Sequence, residues 1–240
     1  MAMPATRRSP TILFDLDGTL IDSIELILNS ARHAFAKLER PCPPDDEWLA
    51  GVGIPLFTMF GRYARDDDDR TALIAAYREY QFAHHDRLVR CYDGVVDTVR
   101  ELHERGYQLG IVTSKSEYLA LRGLAHVGLA RYMDTIVGCD ASTRHKPDPE
   151  PVRIALHRLG SAPEDAIFVG DSVHDVLAGN AAGVRTFAAL WGAFRRQDLE
   201  PGCPSQYLER ISELRMSGGA VERISGGTDE RWSGGALNDG

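Results

Sequence analysis

The sequence predicts an α/β protein: a parallel sheet with helices on both faces and a helical block inserted after the first strand. Three observations carry that expectation. Short apolar runs at 12–14, 107–112, 135–138, 166–169 and 184–188 alternate with segments of helical period, the spacing of strands joined by crossover helices. Residues 22–88, between the first two runs, read as helices alone. Finally, Asp15, Thr113 and Asp171 each follow closely on an apolar run, and ligands of parallel sheets sit beyond the carboxyl ends of the strands.

Taken in order, Ile12, Leu13 and Phe14 form a short buried strand that stops at Asp15, with Gly18 placed for a sharp turn after Asp17. Asp22 and Ser23 are placed to cap the next helix, with Glu25 three residues beyond Asp22 in a capping-box arrangement. Leu26, Ile27, Ala31, Ala34 and Phe35 then recur at helical spacing to about Lys37, and Pro41, Pro43 and Pro44 end the helix. A helical turn at 48–50 is broken by the 51–55 stretch, and a further helix is expected over 56–64. The acidic run 66–69 reads as a solvated loop and helix start, a favourable place for negative charge. A longer helix over 70–87 is expected to bury Leu73, Ile74, Tyr77 and Phe82. Helices then fall at 94–105, 117–127, 151–159 and 173–182, interleaved with the later strands. A short edge strand at 206–208 and a closing turn at 209–216 complete the order, and the Gly- and Ser-rich stretch 217–240 reads as a disordered tail.

Composition narrows the function. The apolar fraction of 43% and charged fraction of 26% are those of a globular protein. A net charge of −8 offers no basic footprint, so no nucleic-acid partner is expected. Cys42, Cys91, Cys139 and Cys203 are widely separated, which suggests neither a zinc site nor a disulfide framework and fits a cytoplasmic protein. Arg7 and Arg8 precede an apolar run of only three residues before Asp15, too short for a signal-peptide core. No run is long enough to span a bilayer, so no membrane partner is expected.

The strand ends carry the chemistry. If Asp15, Asp17, Asp171 and Asp175 meet, they form an all-oxygen cluster that suits Mg²⁺ far better than zinc. Thr113 and Lys146 add a hydroxyl donor and a positive charge, both suited to phosphate oxygens. A carboxylate nucleophile can form an acyl-phosphate, splitting one hard hydrolysis into two easier steps. Each residue also has a plainer role open to it: Lys146 as a solvated lysine, Asp171 as a helix cap, Asp175 as an exposed helix residue. It is their joint occurrence at successive strand ends that favours chemistry. Arg62, His84 and His85 read as surface residues of the helical block.

The motifs resemble those of the haloacid dehalogenase superfamily of phosphohydrolases. The Asp15-Leu16-Asp17-Gly18-Thr19 stretch resembles its first motif, and Ile111-Val112-Thr113-Ser114-Lys115 its second. Lys146-Pro147-Asp148-Pro149 resembles the third, and Gly170-Asp171-Ser172 followed by Asp175 the fourth. The resemblance spans about residues 10–192. It implies a Rossmann-like core formed by 1–21 and 89–216, with 22–88 as an inserted α-helical cap domain. It further implies that Asp15 is the nucleophile and Asp17 the general acid and base. Thr113, Ser114 and Lys146 would bind phosphate. Mg²⁺ would be held by Asp15, Asp171, Asp175 and the backbone carbonyl of Asp17. Dehalogenase relatives lack a carboxylate at the Asp17 position, so its presence points to phosphoester hydrolysis.

Within the superfamily the sequence is most similar to phosphoglycolate phosphatases and their pyrophosphatase-like relatives. The signals are Gly53 to Leu56 and the Lys-Pro-Asp-Pro-Glu-Pro run from Lys146. The resemblance implies a Mg²⁺-dependent phosphatase acting on a small, phosphoglycolate-like monoester, as a monomer or homodimer. A sugar phosphomutase or an inorganic pyrophosphatase on the same site is the alternative.

Overall fold

The computed structural model describes residues 10–216. Strand β1 (Thr11–Phe14) is wholly buried and lies inside a six-stranded sheet. Its neighbours are β4 (Gln108–Val112) on one side and β6 (Ala166–Gly170) on the other, both parallel to it. With β5 (Thr135–Val137), β7 (Arg185–Ala189) and β8 (Gln206–Leu208), the sheet order is β5-β4-β1-β6-β7-β8, parallel throughout.

The two-residue period of the strands divides the core. Ile12, Phe14, Ile111, Ile167 and Val169 join one apolar cluster, while Leu13, Val112, Ala166 and Phe168 join the other. Helices α5 (Val95–Glu104) and α6 (Glu117–His126) cover the first face through Val95, Val99, Leu102, Ala120 and Leu124. Helices α7 (Glu150–Leu159) and α8 (Val173–Ala182) cover the second through Val152, Ala155, Leu156, Ala178 and Ala182. The expected parallel sheet with helices on both faces is present.

Between β1 and β4 the chain leaves the sheet through β2 (Ile21–Asp22) and returns through β3 (Arg90–Cys91), an antiparallel pair. Helices α1 (Ile24–Lys37), α2 (Asp45–Leu49), α3 (Leu56–Gly61) and α4 (Asp67–Leu88) lie in between. They enclose an apolar cluster of their own around Phe35, Trp48, Phe60, Leu73 and Tyr77. Its rings meet edge-on or tilted, as at Phe35–Trp48 and Phe60–Tyr77, the arrangement aromatic quadrupoles favour.

Several local expectations are corrected. The side chain of Ser23 makes no cap to α1; it is turned toward Asp17 instead. Helix α4 begins within the acidic run, because Asp66 accepts from the Asp69 amide and caps it. Phe82 is 41% exposed and His85 is buried, the reverse of the expectation for both. The physical reason is that α4 serves two partners. Leu73 and Tyr77 point into the insert's own cluster, Tyr80 packs on His33 of α1, and His85 lies beside His126 of α6, so the inward face changes along the helix. The expected tail at 217–240 lies outside the described residues.

Candidate active site

The site grows from the strand ends. The Asp15 amide donates to the Val169 carbonyl at 2.9 Å, extending the β1–β6 pairing by one residue and fixing a carboxylate between the two strands. Thr113, directly after β4, is tied in the same way to Val137 at 3.0 Å. Asp171 follows β6, and Ser172 then caps α8 in a reciprocal box with Asp175. Asp175 is thereby pulled inward and buried, not left on an exposed helix face.

Lys146 reaches this point from the loop before α7. Its Nζ donates to Asp15 Oδ1 at 2.8 Å, Asp175 Oδ1 at 2.6 Å and the Val112 carbonyl at 3.1 Å. All the donors of the ammonium are used, so the lysine is fixed as well as neutralised. Asp175 Oδ2 accepts from the amide and hydroxyl of Ser172. Asp171 accepts from Thr19 Oγ1 at 3.3 Å and from the Ala193 amide at 3.1 Å.

Gly18 is required at the mouth of the site. Its φ is +83°, and a Cβ there would lie 2.2 Å from Asp171 Oδ2. The turn it makes carries Asp17 to a different neighbourhood, where the carboxylate accepts from Ser23 Oγ and from Lys115 Nζ.

Charge is unbalanced around Asp15. Burial is the largest influence and pushes its carboxyl up; Lys146 opposes that, Asp175 and Asp17 reinforce it, and the result is about 7. Burial, then Asp15 and Asp175, hold the Asp171 carboxyl well above the usual range. For Lys146 burial acts downward, but Asp15 and Asp175 outweigh it and the ammonium is held all the more firmly. The cluster is therefore short of positive charge.

A hard divalent cation fits that deficit. Asp15, Asp171 and Asp175 each offer an oxygen, all within 4.8 Å of one another, and the donor set has no nitrogen or sulfur. The carboxylate of Asp17 is not in this group, being paired with Lys115 and Ser23.

A cavity of about 80 Å³ opens above the cluster, with Asp15, Asp17, Thr113, Ser114 and Asp171 on its floor and residues of the helical insert as its roof. Ser114 Oγ donates to the carbonyl of Gly53, so floor and roof touch. Gly53, at φ +102°, lets the roof loop approach Ser172, to which a Cβ would come within 3.1 Å.

Of the residues expected from sequence, the structure joins Asp15, Lys146, Asp171 and Asp175 directly and places Asp17, Thr113 and Ser114 around the same cavity. Arg62 is exposed and His84 packs on Tyr80, with ring centroids 4.1 Å apart. Sequence reasoning gave Ser23 only the role of a helix cap and Lys115 only a place in the second motif, and it gave no role to Arg78 and Gln81, which line the roof. Nothing in the sequence sets the last two apart, since Glu79 lies between them and His84 and His85 follow closely.

A parallel sheet with buried carboxylates, a lysine and a hydroxyl at adjoining strand ends is an arrangement suited to an enzyme of the α/β class. The chain belongs to the haloacid dehalogenase-like hydrolase family, whose model matches residues 12–189, and it is a hydrolase of that family. It is 42% identical over 211 residues to Pyrophosphatase PpaX of Bacillus velezensis, covering 87% of this chain and 95% of the relative. A Bacillus pumilus protein of the same name is 40% identical over 210 residues, covering 88% and 96%. Among solved structures, one described as a predicted phosphatase from Clostridium acetobutylicum superposes with a TM-score of 0.78 at 28% identity, covering 88% of this chain and 98% of that one.

Proposed function

We propose that this hydrolase is a Mg²⁺-dependent phosphatase that cleaves a small phosphorylated anion through an aspartyl-phosphate on Asp15. The observation that carries the proposal is the buried Asp15–Lys146–Asp175 arrangement with Asp171 beside it, a nucleophile held in place within a cluster that needs a divalent cation.

In the first step an Asp15 oxygen attacks phosphorus, the bond to the leaving oxygen breaks, and Asp17 gives that oxygen a proton. In the second, Asp17 takes a proton from water, the resulting oxygen attacks the same phosphorus, and the bond to Asp15 breaks to release inorganic phosphate. Thr113 and Ser114 orient the phosphoryl oxygens, and Lys146 holds Asp15 in line while offsetting charge. Mg²⁺, held by Asp15, Asp171, Asp175 and the Asp17 carbonyl, would supply the positive charge that lets an anionic carboxylate approach an anionic phosphate. Asp17 is suited to its double duty because Lys115 and Ser23 hold its carboxylate apart from the cluster. We further propose that 22–88 act as the cap domain that excludes bulk water.

The sequence places a phosphoglycolate-like monoester first and pyrophosphate as an alternative. The likeness to proteins named pyrophosphatase moves inorganic pyrophosphate to the front. The same steps then apply, with a second phosphate as the leaving group. The four free cysteines accord with the cytoplasmic location proposed for it.

The test is phosphate release from pyrophosphate, phosphoglycolate, sugar phosphates and nucleoside monophosphates, with and without Mg²⁺, beside Asp15→Asn. Release that needs Mg²⁺ and vanishes in the variant supports the proposal and ranks the substrates. Equal release from both proteins would sink it.

A further inference from the structure

The cavity roof is apolar for most of its extent, with Ile27, Trp48, Ile54 and Met59 facing the carboxylate floor. Arg78 and Gln81 interrupt it. They are one turn apart on α4, and Arg78 Nη1 donates to Gln81 Oε1 at 2.5 Å. That bond uses the acceptor of the amide and leaves Gln81 Nε2 and the remaining guanidinium donors facing no acceptor among the described residues. Nor does any carboxylate among the described residues pair with Arg78. Asp17, on the opposite wall, is engaged by Lys115.

Gln81 is only 3% exposed and Arg78 is partly buried, and both line the cavity, so their free donors are presented to whatever occupies it. An anion there would meet a cation and an amide N–H already in place, with little left to organise on binding. We propose that Arg78, backed by Gln81, receives the second anionic group of the substrate: the phosphate or carboxylate carried by the leaving group. This rests on the phosphatase reading above and names its substrate class, a compact phosphorylated anion with negative charge at both ends. A guanidinium suits either source, since its planar fork matches the oxygens of phosphate and carboxylate alike. Burial holds the Arg78 guanidinium below its ordinary pKa, and Tyr77, Cys139 and Asp17 oppose that only in part.

The inference is tested with the full chain as wild type, Arg78→Gln and Arg78→Lys. Initial rates are measured on pyrophosphate, phosphoglycolate and p-nitrophenyl phosphate, whose leaving group carries no second charge in the ester. In Arg78→Gln the ratio of kcat/KM for the doubly anionic substrates to that for p-nitrophenyl phosphate is expected to fall by about 10- to 100-fold, chiefly through KM. Arg78→Lys is expected to recover part of it. A selective loss on pyrophosphate assigns a terminal phosphate to Arg78, and one on phosphoglycolate a carboxylate. Equal losses on all three, or none, overturn the inference.

Calorimetry with methylenediphosphonate in excess Mg²⁺ gives a second readout that needs no turnover. Its dissociation constant is expected to rise at least about 10-fold in Arg78→Gln. An unchanged constant, or no binding to the wild type, overturns the inference unless the rates show a selective loss on phosphoglycolate, which assigns a carboxylate to Arg78. Arg78-dependent binding by a protein that releases no phosphate from any substrate would instead defeat the phosphatase reading and leave the anion site standing.

Discussion

Lys115 donates to Oδ1 of Asp17 across a sequence separation of 98, joining the residue after the second motif's hydroxyls to the second carboxylate of the first. The pair lies at the edge of the cavity, each side chain about one-eighth exposed, at 13% and 12%. Such a pair contributes modestly to stability but fixes where one proton carrier stands. Replacing Lys115 by Met is therefore expected to lower kcat on any phosphate substrate by about 10- to 100-fold, the usual range for a misplaced general acid or base. The melting temperature is expected to change little by comparison. Steady-state rates and circular dichroism melts on one preparation check both halves.

Asp15→Asn is expected to do two opposite things. Activity falls by about 1000-fold or more, since the amide cannot serve as nucleophile. The metal-free protein becomes more stable, because one of the buried carboxylates around Lys146 loses its charge while keeping its shape. A thermal melt in EDTA showing the variant below the wild type would contradict the charge imbalance described here.

The same imbalance sets a pH dependence. Asp15 titrates near 3.8 when unfolded and at about 7 in the metal-free fold, so the fold binds the extra proton across that window. The stabilisation this proton confers is complete below the lower value and is lost as pH rises through the upper one. A bound divalent cation supplies the missing positive charge in place of the proton. The gap in melting temperature between Mg²⁺-saturated and EDTA-treated protein is expected to widen steadily from about pH 4 to 7. A gap independent of pH would count against it.

Asp69 works in the other direction. Its carboxylate accepts from the Arg65 side chain and amide and lies against Arg40, which holds it down to about 2. The stabilisation it gives is present above its ordinary value of 3.8 and disappears as pH falls toward 2. Asp69→Asn is expected to destabilise the helical insert at neutral pH and to flatten the acid limb of its unfolding curve. Hydrogen exchange along α4 is the measurement that localises the effect.

Gly18→Ala is expected to damage both fold and site. The left-handed backbone alone costs about 1–2 kcal/mol for a residue with a Cβ. The collision with Asp171 adds to this and displaces a carboxylate of the cluster. Loss of Mg²⁺ affinity greater than the loss of melting temperature implies is the expected signature.

Much of this was legible in the sequence because it is local. Ile12 to Phe14 with Asp15, Val112 with Thr113, and Gly170 with Asp171 each join a strand to its functional residue within a few positions, and parallel pairing aligns their ends. Lys146 was legible through its motif, and its bonds to Asp15 and Asp175 follow once the strands are set side by side. The Lys115–Asp17 pair and the Arg78–Gln81 donors were not legible, for they depend on how a turn and a helical block lean over the sheet. Phe82 and His85 were misplaced for a related reason. A 22-residue helix that serves the insert's own cluster, α1 and α6 in turn has no single apolar stripe to read.

The β2–β3 pair sets Ile21 opposite Cys91 and Asp22 opposite Arg90, so the chain departs from the sheet and rejoins it one strand-spacing apart. Everything between those residues is in effect a cassette. A foreign helical segment that brings its two ends equally close can be spliced in above Asp15, Lys146 and Asp175, provided that it supplies a donor in place of Ser23 beside Asp17. Recombination between relatives at these two crossover points would exchange the roof of the cavity and the side chains it turns toward the interior, while the Asp15–Lys146–Asp175 arrangement passes from one chimera to the next.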